Sequence, residues 1–301
     1  MRHLISLRDW SREEIWEVLE LALHLKRELR AGIFHKMLEG KTLALVFQKP
    51  SLRTRVSFET GMARLGGHAI YLGPDDIKLG ERETTEDIAK VLSRYVDGIM
   101  ARVFGHEIVE DLAKYADVPV INGLSDLLHP CQILGDLLTI YEKRRRLEGL
   151  KLVFVGDGNN VAHSWLHGGS IMGLDVTIAC PSGYEPKEEI VAYAKKQGTR
   201  VEISHDPKAA VSGADVLYTD VWASMGQEAE AERRRHDFQG FQLNEELIKL
   251  AKPDCLVMHC LPAHYGEEIT YGAAHSPNSV IYDQAENRLH AQKAVLALLL
   301  G

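Results

Sequence analysis

The run Thr42-Leu43-Ala44-Leu45-Val46-Phe47, the turn Gln48-Lys49-Pro50 and then Ser51-Leu52-Arg53-Thr54-Arg55 decide how this chain is read. A short apolar run closed by a proline reads as a buried strand. The following Val56 to Leu65 carries apolar residues at helical spacing. The unit is therefore strand, turn, helix, with hydroxyls and two arginines at the helix N-terminus. Unpaired backbone N–H groups and the helix dipole favour an anion there. Arg53 and Arg55 add forked, permanently charged donors that match phosphate oxygens. Taken alone, a plain Ser/Thr cap with solvated arginines explains the stretch equally well.

Working outward, the same unit recurs. Ser11 and Glu14 form a capping box for a helix running to about Arg30. Strands are expected at 68–72, 97–104, 118–122, 151–155, 175–180, 200–204, 214–219, 256–259 and, last and shortest, 281–283, with helices between most of them. Strands alternating with helices imply parallel βαβ units, so the fold class is α/β with sheets covered on both faces. The polar stretch Gly73 to Arg82 reads as a loop, and the charged run Glu228 to Asp237 as a solvated lid or helix. A helix over 133–142 ends in the basic cluster Lys143–Arg146, and a second βα series begins at Lys151. We therefore expect two domains, 1–135 rejoined by a C-terminal helix over 286–301, and 136–285.

With 301 residues, 45% apolar and 26% charged, the composition is that of a globular protein. A net charge of -8 argues against a general nucleic-acid or membrane-surface binder and means that an anionic ligand needs a local cluster of arginines. The four cysteines form no CxxC pair, so neither a zinc knuckle nor a disulfide framework is expected. No apolar run spans a bilayer and the N-terminus carries charges through its apolar stretch; the expected location is the cytoplasm.

Gly156-Asp157-Gly158-Asn159-Asn160-Val161 follows the strand at 151–155 and invites a dinucleotide reading. The third glycine of that fingerprint is missing, and the next strand ends in Cys180-Pro181-Ser182 rather than in an acid. A nicotinamide cofactor is not expected. His163 and His167, four apart on a helix, have zinc-like spacing but no third ligand in view, and read as packing.

The candidate chemistry shares one position type. Ser51, Arg53 and Thr54, Arg102, His129 and Gln132, Asn160, Asp220 and Ser224, and Cys260 and Leu261 all follow predicted strands. In parallel α/β sheets those ends lie on one edge, and two sheets facing each other would make a cleft. The first-domain group is cationic. The second is small and polar, with one carboxylate and one thiol.

Ser51-Leu52-Arg53-Thr54-Arg55 together with His129-Pro130-Cys131-Gln132 resembles the carbamoyl phosphate signature of the aspartate/ornithine carbamoyltransferase family. Asp220-Val221-Trp222-Ala223-Ser224-Met225-Gly226 and His259-Cys260-Leu261-Pro262 resemble its ornithine branch. The aspartate branch would place an arginine after Pro262, and none stands there. The resemblance spans nearly the whole chain. It implies transfer of a carbamoyl group from carbamoyl phosphate to the δ-amine of L-ornithine, giving L-citrulline and phosphate in arginine metabolism. A relative acting on putrescine, an acylated ornithine or aspartate is the alternative reading, and a non-catalytic phosphate-binding module a distant third.

Carried over residue by residue, the resemblance puts Ser51, Leu52, Arg53, Thr54, Arg102, His129, Pro130, Cys131, Gln132, Cys260, Leu261 and Arg288 around carbamoyl phosphate. It puts Asn160, Asp220, Ser224 and Met225 around ornithine. Arg53, Arg102, His129, Asp220 and Cys260 would be catalytic. Cys131 is expected to be a packing thiol within its turn. It implies no metal and no organic cofactor, a cis Leu261–Pro262 bond, and trimers or multiples of trimers in which a neighbour's loop near 73–82 completes each site. Several relatives have a glutamine near the start of that loop, where this chain has Asp75 and Asp76.

Overall fold

The computed structural model describes residues 1–77, 79, 83–223 and 228–301. They form two compact units, Met1–Leu138 with Glu286–Gly301, and Thr139–Ala285.

In the first unit the capped helix α1 (Arg12–Arg30) leads to strand β1 (Thr42–Phe47), helix α2 (Leu52–Arg64) and strand β2 (His68–Leu72). Short helices α3 (Pro74–Ile77) and α4 (Thr85–Leu92) precede strand β3 (Gly98–Arg102). Helix α5 (His106–Tyr115), strand β4 (Val120–Leu124) and helix α6 (Pro130–Arg144) follow. The four strands make a parallel sheet in the order β2-β1-β3-β4, with Leu45 beside Tyr71 and Val46 beside Ala101. β3 is buried along its length and β1 all but its first residue, as expected of strands covered on both faces. Leu4 bridges to Ile121 and covers the free edge of β4.

In the second unit strand β5 (Lys151–Val155), helix α7 (Asn160–Ile171), strand β6 (Asp175–Ala179), helix α8 (Glu188–Lys195) and strand β7 (Val201–Ser204) run in series. Helix α9 (Pro207–Val211), strand β8 (Val216–Thr219), helices α10 (Ala231–Asp237) and α11 (Glu245–Leu250), strand β9 (Leu256–His259) and helix α12 (Tyr271–Ala274) complete it. Its parallel sheet has the order β7-β6-β5-β8-β9. The core under it is built from Val153, Leu217, Phe238, Val257 and their neighbours.

Helix α13 (Ile281–Leu300) ends the chain. The short strand expected at 281–283 is therefore a helix. Extended pairing does occur just before it, where Val280 N–H meets the Val257 carbonyl at 3.0 Å. Gln284 then donates to Val280 at 2.8 Å, and from the β-branched Ile281 onward the chain runs as a long helix with a buried face. From Glu286 onward α13 belongs to the first unit. Lys26 on α1 donates to Asn287 at 2.7 Å. Gly135 on α6 lets the backbone of Arg288 come so close that a Cβ there would lie 3.2 Å from its nitrogen. The loop expected over 73–82 holds the single-turn helix α3, and residues 78 and 80–82 lie outside the described residues.

Each sheet reverses its strand order once. β1 is flanked by β2 and β3, and β5 by β6 and β8. At such a reversal the loops leaving the two strands diverge to opposite faces and open a crevice at the carboxyl ends. The residues there are 48–55 with Arg102 in the first unit, and 156–160 with Asp220 in the second.

Candidate active site

The first-unit site starts from the cap of α2. The Ser51 side chain accepts the Thr54 N–H at 3.3 Å, and its hydroxyl donates to the Thr54 hydroxyl at 3.2 Å. Leu52 is 76% exposed, whereas Thr54 in the same turn is buried. Arg55 is occupied elsewhere: it pairs with Glu59 at 2.9 Å and lies 3.7 Å over the Tyr71 ring. Arg102 closes β3, is buried, and accepts the Gln48 N–H on its carbonyl at 2.8 Å.

His129 and Pro130 open α6, with proline in the first helical position, where its missing N–H costs nothing. Gln132 and Asp136 then face one another at 2.8 Å. Arg288 reaches in from α13. Its guanidinium donates to Gln132 Oε1 at 2.6 Å, to the Thr54 hydroxyl at 3.3 Å and to Gln292 Oε1 at 2.9 Å. Gln292 in turn donates to Ser57 at 2.8 Å. A buried polar network of this kind fixes its members in one arrangement.

Burial holds the His129 imidazole well below its ordinary value, and the charges of Arg288, Arg102 and Arg53 add to the shift. At neutral pH it carries no charge and offers one N–H donor and one acceptor. Cys131 is buried, its thiol is pushed up to about 12, and it donates to the Asn122 carbonyl at 3.3 Å. It is a packing thiol and no nucleophile.

The second-unit site starts from Asn159, which caps α7 by accepting the N–H groups of Val161 and Ala162 at 2.9 and 3.2 Å. Its amide donates to Asp220 at 2.9 Å across the reversal between β5 and β8. Gly158 is required here because a Cβ would lie 2.3 Å from the Pro186 nitrogen. The other Asp220 oxygen accepts the Val221 N–H at 2.8 Å and the Cys260 thiol at 2.9 Å. Leu261 has φ 59° and is joined to Pro262 by a cis peptide bond. Its N–H donates to His259 Nδ1 at 2.8 Å, so the ring proton sits on Nε2, which faces Glu268 at 2.9 Å. Both of those side chains are fully buried.

Behind this turn Asp157 pairs with Arg234 on α10 at 2.8 Å, and Arg234 also donates to the Trp222 carbonyl at 2.8 Å. Burial pushes the Asp157 carboxyl up to about 6 against the pull of Arg234.

Thr54, Gln132 and Arg288 thus meet in one network, Arg53, Arg102 and Arg288 act together on His129, and Asp220 meets Cys260 directly. Ser224 and Met225 lie outside the described residues. Asn159, passed over in the sequence in favour of Asn160, is the residue bonded to Asp220; its place just before the first helical residue was the available signal. Asp157, Arg234 and Glu268 were also missed, since no local pattern marks their pairing. His163 and His167 are both buried, and His163 accepts the Lys187 N–H at 3.0 Å, a packing role.

Comparison with known proteins agrees with this architecture. Residues 2–142 match the model of the aspartate/ornithine carbamoyltransferase carbamoyl-P binding domain, and residues 148–299 that of the Asp/Orn binding domain. The chain therefore belongs to the aspartate/ornithine carbamoyltransferase family. It is 61% identical to an ornithine carbamoyltransferase of Pyrococcus abyssi, over 100% of this chain and 96% of that one. It is similar to the solved ornithine carbamoyltransferase from Pyrococcus furiosus, with TM-score 0.97 and 60% identity over 100% of this chain and 97% of the other. An acetylornithine transcarbamylase complexed with acetylcitrulline shares the fold at TM-score 0.89 and 34% identity, over 100% of both chains.

Proposed function

We infer that the protein transfers the carbamoyl group of carbamoyl phosphate to the δ-amine of L-ornithine, giving L-citrulline and phosphate. For the donor half, the supporting observation is the buried, neutral His129 under the influence of Arg53, Arg102 and Arg288. A neutral imidazole donates a hydrogen bond to a carbonyl without repelling the guanidiniums that hold a phosphate. For the acceptor, support comes from full-length likeness to ornithine carbamoyltransferases at 60–61% identity, against 34% for the acetylornithine enzyme.

On this reading Ser51, Leu52, Arg53, Thr54 and Arg102 bind the phosphate through side chains and helix N–H groups. His129 and Gln132 polarise the carbamoyl carbonyl. Arg288 sets Gln132 and Thr54 in place, and Pro130 and Cys131 shape the turn. Asn160, Asp220, Ser224 and Met225 bind the amino-acid end of ornithine, while Cys260 and the Leu261 carbonyl orient its δ-amine. That amine attacks only when neutral, although a free alkylamine is protonated at pH 7. Its lone pair forms the C–N bond, negative charge gathers on the carbonyl oxygen, and the C–O bond to phosphate breaks as phosphate leaves with the amine proton. Arg53, Arg102 and His129 stabilise that charge, and alignment of the two substrates supplies much of the remaining rate.

The carbamoyl phosphate part is 1–135 with 286–301, and the ornithine part is 136–285. The assembly is a trimer or a multiple of trimers, with a neighbour's segment near 73–82 completing each site. Among the described residues no helix is long and apolar enough to cross a membrane, and free cysteines fit a reducing cytoplasm.

The test supplies carbamoyl phosphate with L-ornithine, putrescine, N-acetylornithine or L-aspartate and measures the carbamoylated product and phosphate. Equimolar citrulline and phosphate with ornithine, and little turnover with the rest, is the expected result. Turnover with putrescine or acetylornithine and none with ornithine would replace the acceptor.

A further inference from the structure

Among the described residues outside both half-sites, one cluster of side chains has the makings of a metal centre. His24 and Glu28 stand one turn apart on α1, and His35 lies on the segment that follows the helix. The two Glu28 oxygens face different imidazoles: Oε1 lies 3.7 Å from His24 Nε2, and Oε2 contacts His35 Nε2. The three donor atoms lie within 4.8 Å of one another.

The segment that brings His35 there is anchored at both ends. Ile33 donates to the Glu28 carbonyl at 2.9 Å, and Leu38 is buried and donates to the Leu65 carbonyl at 2.8 Å. A simple ion pair would need one imidazole beside the carboxylate. Here the carboxylate is flanked by two, and their rings lie 6.1 Å apart at 38°.

We propose that His24, Glu28 and His35 form a binding site for a borderline divalent transition cation, with Zn2+ as the natural occupant. Two imidazole nitrogens and one carboxylate oxygen suit zinc, cobalt, nickel or copper and do not suit calcium or magnesium. Helical i, i+4 spacing puts two ligands on one face, a recurrent arrangement at zinc sites. Zinc–ligand bonds of about 2.0–2.2 Å put the donors of a tetrahedral site about 3.3–3.6 Å apart. His24 is half exposed and His35 one-third exposed, so modest side-chain rotation closes the remaining gap. Water fills the fourth position.

Two other clusters among the described residues have comparable spacing. Asp220, His259 and Cys260 belong to the site already described. In His264, Glu267 and Glu268, Glu268 Oε1 already faces His259 Nε2 and the His264 N–H.

The test uses the full chain after chelator treatment. Zn2+ is titrated calorimetrically into a Cys260→Ser variant, which removes the competing thiol, and into the same variant carrying His24→Ala with His35→Ala. One zinc per chain in the first protein, and affinity at least about tenfold weaker in the second, supports the site. X-ray absorption of the zinc-loaded Cys260→Ser protein then shows two imidazoles in the first shell. His24→Ala with His35→Ala in the otherwise unaltered chain should keep full turnover with carbamoyl phosphate and ornithine, which verifies its fold. Equal zinc affinity in both Cys260→Ser proteins, or no zinc bound by either, overturns the proposal.

Discussion

Both sheets reverse their strand order once and collect polar side chains at the reversal, yet the two collections are opposite in chemistry. In the first unit Arg53 after β1, Arg102 at the end of β3 and Arg288 on α13 act on His129, which burial and their charge keep neutral. At β5 and β8 a single carboxylate, Asp220, is held by the Asn159 amide, the Val221 N–H and the Cys260 thiol. Topology sets where ligands gather, and the residues there set which ligand. A phosphate with a developing oxyanion needs fixed positive charge. An attacking amine needs an acceptor environment that does not compete for its lone pair.

The sharpest way to break this contrast is to remove charge from the first collection. Arg53→Ala should lower kcat about 10³-fold, the cost of losing a donor aimed at developing charge. Its thermal unfolding should be nearly unchanged, because Arg53 is only half-buried. Near-normal turnover would refute the phosphate assignment.

In the second collection the buried charge pair behind the turn is the weak point. The Asp157 carboxyl, at about 6, lies above its ordinary value. Such a group stabilises the fold fully only below its ordinary value, and that contribution is lost as pH rises through about 6. Arg234→Ala leaves the ionised carboxylate buried and unpaired, so it should cost about 3 kcal/mol near neutral pH. The loss should shrink at about pH 5, where the carboxyl takes up a proton. Denaturant unfolding at the two pH values reads the difference, and an equal loss at both would remove Asp157 from the account.

The smallest effect separates capping from ligand binding at Ser51. Ser51→Ala should cost about 1 kcal/mol of stability as a lost helix cap. It should also raise the KM for carbamoyl phosphate while leaving that for ornithine alone. A stability loss with unchanged KM would make Ser51 a cap and nothing more.

Much of the fold was legible because strand and helix patterns are local. Thr42–Phe47 is a strand from end to end, and Ser11 and Glu14 make both hydrogen bonds of the capping box, at 3.2 and 2.7 Å. Local pattern also misled. Ile281-Tyr282-Asp283 opens on a β-branched and an aromatic residue as a strand would, yet it is the first turn of α13, with Ile281 buried and Tyr282 exposed. β4 begins at Val120 rather than at 118, just past Pro119, which has no N–H to donate to the sheet.

The sites were legible in a different sense. Arg288 meets Thr54 across 234 positions and Gln132 across 156, and Arg234 meets Asp157 across 77. No periodicity encodes such meetings. The family resemblance brought Arg288 into view, whereas Arg234 and Glu268 stood outside the quoted motifs and went unseen.

The division of labour between the two collections is tested most directly by titrating fresh carbamoyl phosphate calorimetrically into Arg53→Ala and Asp220→Asn proteins. Binding should be lost in Arg53→Ala and keep its wild-type affinity in Asp220→Asn, whose defect should appear only when ornithine is added. Loss of carbamoyl phosphate binding in Asp220→Asn, or its retention in Arg53→Ala, would contradict the assignment of one substrate to each reversal.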